Sequence, residues 1–286
     1  MNRILSKEQL SAEVFRLRVM APEIARERRA GQFVIVQRDE LSERIPLTIA
    51  DADASAGWIT LIFQAVGKGT HLLAEMAPGE SIENLVGPLG QPTDIRKVGH
   101  VVCVGGGIGV APMYPIAQAM KQAGNRLTVI TGARTRDLLI LQDEMAALAD
   151  RLIVVTDDGS AGRKALVTEP LKELCQEEPR PAEVVAIGPP IMMKFCAETT
   201  RPFGIHTVVS LNTIMVDGTG MCGGCRVTVG GETRFVCVDG PEFDGHKVDF
   251  DSMIRRLGAY KRIEHEAHEQ CHLEMAARQA QAAKAR

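Results

Sequence analysis

Apolar positions recur with period two in the first part of the chain. Val14-Phe15-Arg16-Leu17-Arg18-Val19 alternates as a half-buried strand does, and Phe33-Val34-Ile35-Val36 and Trp58-Ile59-Thr60-Leu61-Ile62-Phe63 are further short strand runs. Ala30-Gly31, Ala56-Gly57, Pro78-Gly79 and Gly87-Pro88 mark turns between them. Short strands at this spacing predict a small antiparallel β-barrel over residues 1–97. Near Lys97 the pattern changes. Val101-Val102-Cys103-Val104 is a continuous apolar run, followed by glycines and a helical stretch to Ala123. Leu127-Thr128-Val129-Ile130, Leu152-Ile153-Val154-Val155 and Val184-Val185-Ala186-Ile187 are similar runs, with a helix predicted near Leu141 to Ala149. Apolar strands alternating with helices predict a Rossmann-like parallel α/β domain over 98–205, covered on both faces. Strands and glycines then surround a group of cysteines in a small module over 206–250. From Asp251 the chain is charged and Ala-rich, which predicts a helical C-terminal tail over 251–286.

At ~150 residues per domain, 286 residues make about two domains with a small appendage. Hydrophobic residues at 45% and charged residues at 24% are ordinary for a globular protein and exclude disorder of the whole. A net charge of −3 and 4% aromatic residues give neither a basic face nor a stacking platform, so no nucleic-acid partner is expected. No run approaches the ~20 apolar residues of a membrane span, and the first residues hold no secretory core, so the expectation is a cytoplasmic protein without membrane contact. Of seven cysteines, Cys222, Cys225 and Cys237 are crowded together, which suggests metal or redox chemistry rather than disulfides.

A glycine-rich turn, Gly105-Gly106-Gly107-Ile108-Gly109, joins the first apolar strand of the second domain to a helix. Such a turn lets backbone approach a pyrophosphate, and the helix start supplies N–H groups and positive dipole. The G-x-G-x-x-G fingerprint fails here, because Val110 holds its last position. Gly106, Gly107, Ile108 and Gly109 remain candidate cofactor contacts. Arg134, Asp157, Asp158 and Gly188 follow later strands, at the carboxyl ends where open α/β sheets bind ligands. Arg134 suits a 2′-phosphate and the aspartates a free ribose, so NAD and NADP both stay open.

In the barrel half, Arg44-Ile45-Pro46-Leu47-Thr48 sets an Arg suited to a phosphate before a Thr whose hydroxyl or N–H suits a flavin ring nitrogen. Downstream, Ile62-Phe63-Gln64 runs into Gly67-Lys68-Gly69-Thr70, a glycine turn opening a helix and again an anion site. Arg44, Pro46, Leu47, Thr48, Ile62, Phe63, Gln64, Gly67, Lys68, Gly69 and Thr70 are thus candidate FAD contacts.

The cysteine spacing is the sharpest signal. Plant-type [2Fe–2S] sites read C-x4-C-x2-C with a distant fourth Cys. Here Asp217 stands in the first position, followed by Cys222, Cys225 and Cys237. Intervening glycines allow backbone N–H groups to turn toward inorganic sulfide. Structural zinc, which accepts C-x2-C pairs and Asp, and a ligand-free cysteine loop are the alternatives. Cys103, Cys175, Cys196 and Cys271 lack partners at ligand spacing, and His265, His268 and His272 are expected on a solvated helical face.

The Gly-Gly-x-Gly-x-Ala-Pro form at Gly106 to Pro112, and the Arg-Ile-Pro-Leu-Thr segment, resemble the nicotinamide and FAD domains of the ferredoxin reductase superfamily. With a C-terminal cysteine module, the order resembles the electron-transfer subunit of bacterial dihydroorotate dehydrogenase, in which a Cys normally holds the position of Asp217. Asp217, the Arg44 motif and the tail make the chain more similar to the small subunits of NADH-dependent reduced ferredoxin:NADP oxidoreductases; sulfide dehydrogenase beta subunits share the plan. The resemblance implies FAD, a [2Fe–2S] cluster and NAD(H) as substrate. It also implies a heterodimer with a larger flavin and [4Fe–4S] subunit that handles ferredoxin and NADP(H) by electron bifurcation. Hydride and electron transfer belong to the cofactors, so no catalytic side chain is named. A zinc-stabilised nucleotide sensor is the non-enzyme alternative.

Overall fold

The computed structural model describes residues 2–271. The N-terminal half is one antiparallel sheet of seven strands: β1 (Asn2–Gln9), β2 (Val14–Met20), β3 (Phe33–Gln37), β4 (Arg44–Asp53), β5 (Trp58–Gln64), β6 (Ser81–Ile82) and β7 (Asn84–Leu89). They lie in the order β6-β1-β2-β5-β4-β3-β7 and curl into a nearly closed barrel. Period-two alternation gives the sheet one dry face, and bulges at Ile4/Ser6, Phe33/Ile35 and Ile49/Asp51 bend it. Leu17 and Val19 turn inward with Ile59, Leu61 and Phe63, while Arg18 points outward and lies 4.1 Å above the Trp58 ring. Two short helices flank the barrel, α1 (Pro22–Glu27) and α2 (Lys68–Glu75).

A second sheet of seven strands follows. In chain order its members are β8 (His100–Gly106), β9 (Arg126–Ala133), β10 (Arg151–Thr156), β11 (Arg163–Lys164), β12 (Glu183–Ile187) and β13 (His206–Ser210), all parallel, with one later antiparallel strand. The helices between them are α3 (Val110–Gln122), α4 (Gln142–Leu148), α5 (Thr168–Gln176) and α6 (Pro190–Thr200). Successive residues of β8 serve opposite faces. Val101 and Cys103 pack with Met113, Ile116 and Met145 of α3 and α4; Val102 and Val104 pack with Leu171, Leu174 and Met193 of α5 and α6. Burial on both faces is why these runs do not alternate.

Strand β13, which begins just past residue 205, still pairs with β12 in the parallel sheet. From β13 the chain leaves the sheet and forms the cysteine loop. It then makes a hairpin of β14 (Arg226–Val229) and β15 (Glu232–Phe235) and a turn of helix α7 (Val236–Asp239), and returns as β16 (Glu242–Asp244). Strand β16 pairs with β13, with Val209 opposite Phe243, and Leu211 N–H donates to Pro241 O at 2.8 Å where the excursion closes. The cysteine segment is therefore inserted into the edge of the parallel sheet.

Helix α8 (Phe250–Leu257) and a further helix over 261–271 carry the described part of the tail. The rest of the predicted tail, His272 included, lies outside the described residues. His268 is not on a solvated face. Its Nε2 lies 3.0 Å from Nε2 of His71 on α2, with the rings stacked at 4.9 Å. No helix among the described residues is long and apolar enough to cross a membrane.

Candidate functional site: strand-end turns and a cysteine loop

The parallel register brings the candidate nucleotide contacts together. Gly105 stands opposite Ile187, Gly106 opposite Gly132, and Ala133 opposite Thr156. The ends of these strands therefore lie side by side: Gly106 closing β8 with Gly107, Ile108 and Gly109 after it, Arg134 after β9, Asp157 and Asp158 after β10, and Gly188 after β12. Backbone bonds tie them together, since Asp157 N–H donates to Ala133 O at 3.1 Å and Asp158 N–H to Arg134 O at 3.2 Å. Gly109 permits a close approach. A Cβ there would collide with the Ile187 carbonyl oxygen and lie 2.7 Å from Gly188 Cα. Asp158 is held by its own turn, accepting from Ser160 N–H at 2.9 Å and Ser160 Oγ–H at 2.7 Å. These donors, the hydroxyl foremost, hold its carboxyl below the ordinary carboxylate range. Met192 is a contact the sequence did not reveal, because methionine reads as core. Its thioether lies against the backbone of Gly106 and Gly188, where a Cβ on Gly188 would be 2.9 Å from Sδ.

On the barrel, Arg44, Pro46, Leu47 and Thr48 open β4, with Thr48 opposite Phe33. The Phe63 side chain is turned into the barrel core, whereas Ile62 packs with the second sheet's cluster. Gln64 donates to Glu13 at 3.1 Å. Thr70 does not present a free hydroxyl to a phosphate: its Oγ1 accepts from Gly67 N–H at 3.0 Å and Val66 N–H at 3.1 Å, closing its own helix start. The opening turn of α2, with Gly67, Lys68 and Gly69, nevertheless has an anion beside it. A Cβ on Gly69 would lie 2.6 Å from Glu43 Oε2, so the Glu43 side chain lies against this turn. Arg44 reaches in another direction, donating from Nε to Val216 O at 2.7 Å and from Nη2 to Asp217 O at 3.3 Å.

The cysteine loop gathers its four candidates without closing them on one point. Cys225 and Cys237 are buried, free thiols whose Sγ atoms lie 3.2 Å apart. Burial pushes the Cys237 thiol up to about 12, and its hydrogen bond with Cys225 adds to this. Asp217 accepts from the Thr219 hydroxyl and, at 3.2 Å each, from the N–H groups of Thr219, Met221 and Cys222. The Thr219 hydroxyl is the main reason its carboxyl stays below the usual range. Cys222 is exposed, and its Sγ accepts from Gly224 N–H at 3.5 Å. Gly218, Gly220 and Gly223 have positive φ. At Gly218 no side chain would fit, since a Cβ would lie 2.8 Å from Ile35 and 2.9 Å from Leu89 of the barrel. Among the described residues, no three His, Cys, Asp or Glu side chains form a ready metal-holding group. The donor set still fits an iron–sulfur centre: two buried thiols in contact, one exposed thiol, a deprotonated carboxylate and a glycine loop on one side of the barrel. Metal binding to such a set displaces thiol protons.

Two packed units with these strand-end turns define a ferredoxin reductase-like oxidoreductase. Phthalate dioxygenase reductase, 16% identical with a TM-score of 0.58 over 80% of this chain and 85% of that one, has the same fold. Residues 103–198 match the oxidoreductase NAD-binding domain family, and residues 212–249 match the iron–sulfur cluster binding domain of dihydroorotate dehydrogenase B. A Thermotoga maritima protein, the dihydroorotate dehydrogenase B (NAD(+)) electron transfer subunit homolog, is 48% identical over 92% of this chain and 93% of its own length. The Clostridium perfringens dihydroorotate dehydrogenase B electron transfer subunit is 31% identical over 77% of this chain and 87% of its own. A solved structure of NADH-dependent reduced ferredoxin-NADP oxidoreductase, described in terms of flavin-based electron bifurcation, aligns at a TM-score of 0.89. Its identity is 47%, over 94% of this chain and 97% of that one. The chain belongs to the family of dihydroorotate dehydrogenase B electron-transfer subunits.

Proposed function

We propose that the chain is the NADH-oxidising, cluster-bearing small subunit of an NADH-dependent ferredoxin:NADP oxidoreductase. In this reading FAD lies on the barrel at Arg44, Pro46, Leu47 and Thr48 and at the Gly67–Gly69 turn, NAD(H) lies at the strand-end turns, and a [2Fe–2S] cluster is held by Asp217, Cys222, Cys225 and Cys237. The observation that carries the reading is the seat of the cysteine loop on the barrel. Gly218 rests on Ile35 and Leu89, and Cys225 and Cys237 share a buried cluster with Phe33 and Ile35 of β3. The cysteine loop is thus packed directly on the barrel that would hold the flavin. The likeness to the solved ferredoxin-NADP oxidoreductase supports the same assignment.

FAD, when bound, takes the two electrons of a hydride and gives them up singly to an iron–sulfur cluster. The chain's own groups bind and orient. Backbone N–H groups of Gly107 to Gly109, at the start of α3, would bind the dinucleotide phosphates. Met192 lies along the floor formed by Gly106 and Gly188 and fills space there that water would otherwise enter. Arg134, Asp157 and Asp158 line the far end. The low-potential path and second nucleotide site needed for ferredoxin-linked NADP chemistry are assigned to a larger flavin and [4Fe–4S] partner.

The test is anaerobic purification with flavin and iron analysis. NADH-driven dye reduction by the chain alone is expected, and ferredoxin-linked NADP reduction only after the larger subunit is added. A dye-inactive chain that binds no flavin, or ferredoxin-linked NADP reduction by the chain alone, refutes the proposal. Electron delivery to a dihydroorotate-oxidising FMN partner would instead assign the chain to the other branch of its family.

A further inference from the structure

We infer that Arg44 is a positioning residue for the Asp217 arm of the cluster site, a role distinct from its expected place at a flavin phosphate; this rests on the cluster assignment above. The four candidate ligands are not held alike. Cys225 and Cys237 are fixed by burial at 1% and 2% exposure. Asp217 lies on the surface beside Val216, which is 52% exposed, and is followed by glycines at positive φ. Core packing therefore does little to fix this arm: the carboxylate is aimed within the loop by Thr219, Met221 and Cys222, and the backbone that carries it needs a separate hold on the barrel.

Arg44 supplies what packing does not. Its Nε donates to Val216 O at 2.7 Å and its Nη2 to Asp217 O at 3.3 Å. These carbonyls belong to the peptide planes before and after the Asp217 Cα. Holding both planes from one rigid guanidinium fixes the backbone angles of Asp217, and with them the direction of its Cα–Cβ bond, from which the carboxylate is presented. The neighbouring Gly218 backbone is seated on Ile35 and Leu89, so the arm meets the barrel at two consecutive positions. An Arg carries five N–H donors, and the two carbonyls use two of them, which leaves an edge of the guanidinium for a phosphate. Lysine cannot reproduce this, because its ammonium is a point charge on a flexible stem.

The test uses the full chain, purified anaerobically and saturated with FAD. Iron release to a chelator and the EPR signal of the reduced cluster are compared for wild type, Arg44→Lys and Arg44→Met. Losing charge-assisted bonds predicts release faster by roughly tenfold or more, with an altered EPR line shape, in both variants. Gly218→Ala, which unseats the same arm while keeping Arg44, is expected to change the signal in the same way. Thr48→Ala is expected to weaken FAD binding and leave iron release at the wild-type rate. Wild-type release and line shape in FAD-saturated Arg44→Lys overturn the inference, even if Arg44→Met fails to fold. A wild-type chain without iron, or Cys225→Ala with its iron intact, refutes the cluster assignment itself and removes the inference with it.

Discussion

Gly109→Ala is the sharpest probe of the nucleotide cradle. Gly109 ends the short turn before α3 and lies against the last residue of β12. A methyl group there would lie 2.7 Å from both the Ile187 carbonyl carbon and Gly188 Cα, where ordinary contact begins at 3.4 Å. Every atom met is backbone, so no rotamer change relieves the clash. The turn must move away from β12 by about 0.7 Å or more, taking with it the N–H groups that open α3. A misplacement of about 1 Å in a positioning element costs on the order of 10²-fold in rate. NADH-driven dye reduction should therefore fall roughly 10- to 100-fold in kcat/KM, equivalent to about 1.4–2.7 kcal/mol. Overpacking is expected to cost a further ~1–3 kcal/mol in stability, so activity is read well below the variant's own Tm. Flavin and iron content should stay at wild-type levels, because their candidate residues lie on other segments. An unchanged kcat/KM in a folded, flavin-replete variant would refute the placement of the dinucleotide at this turn.

Glu242 accepts from the Thr93 hydroxyl at 2.6 Å, and burial pushes its carboxyl up to about 7, above the unfolded value of 4.5. The stability this group contributes is complete below that unfolded value and is lost as pH rises through about 7. Glu242→Gln should thus raise stability at pH 8 by about 2–3 kcal/mol and have little effect at pH 4; equal urea midpoint shifts at both values would contradict this. Burial also pushes Cys103 and Cys196 up to about 12, so both should resist iodoacetamide in the native chain at pH 8, and rapid labelling of Cys103 would disprove that burial. Asp217→Cys should keep a [2Fe–2S] cluster with a changed visible spectrum while Cys225→Ala loses most of its iron; unchanged iron and spectra in Asp217→Ala would remove Asp217 from the ligand set.

Much of this architecture is legible in the chain. The alternation at Val14 to Val19 forces a sheet with one dry face, and the unbroken run at Val101 to Val104 forces a strand buried on both. The Asp217, Cys222 and Cys225 spacing marks one loop, because ligand spacing is local, while Cys237 returns to it on α7 beyond a hairpin. Non-local contacts were hidden. Nothing in Arg44-Ile45-Pro46 says that the guanidinium reaches residues some 170 positions away. Nothing in Gly67-Lys68-Gly69-Thr70 says that the Thr70 hydroxyl closes its own helix start. Met192 carries no chemical label that separates a cradle floor from ordinary core. Strand β16 is three residues long, too short for any periodicity to announce that the chain returns to the sheet.

That return shapes how electrons can leave the protein. A redox module hung on a linker finds its partner by tethered diffusion, and its transfer rate depends on linker length and solvent viscosity. Here both ends of the cysteine segment are rungs of one ladder, β13 and β16, with Leu211 bonded to Pro241 at the neck. The segment is a loop with clamped ends, so its excursions are limited to what the ladder tolerates. Throughput at this step should then be insensitive to added glycerol, and a partner must present its own acceptor at a fixed place on this surface rather than wait for a swinging donor.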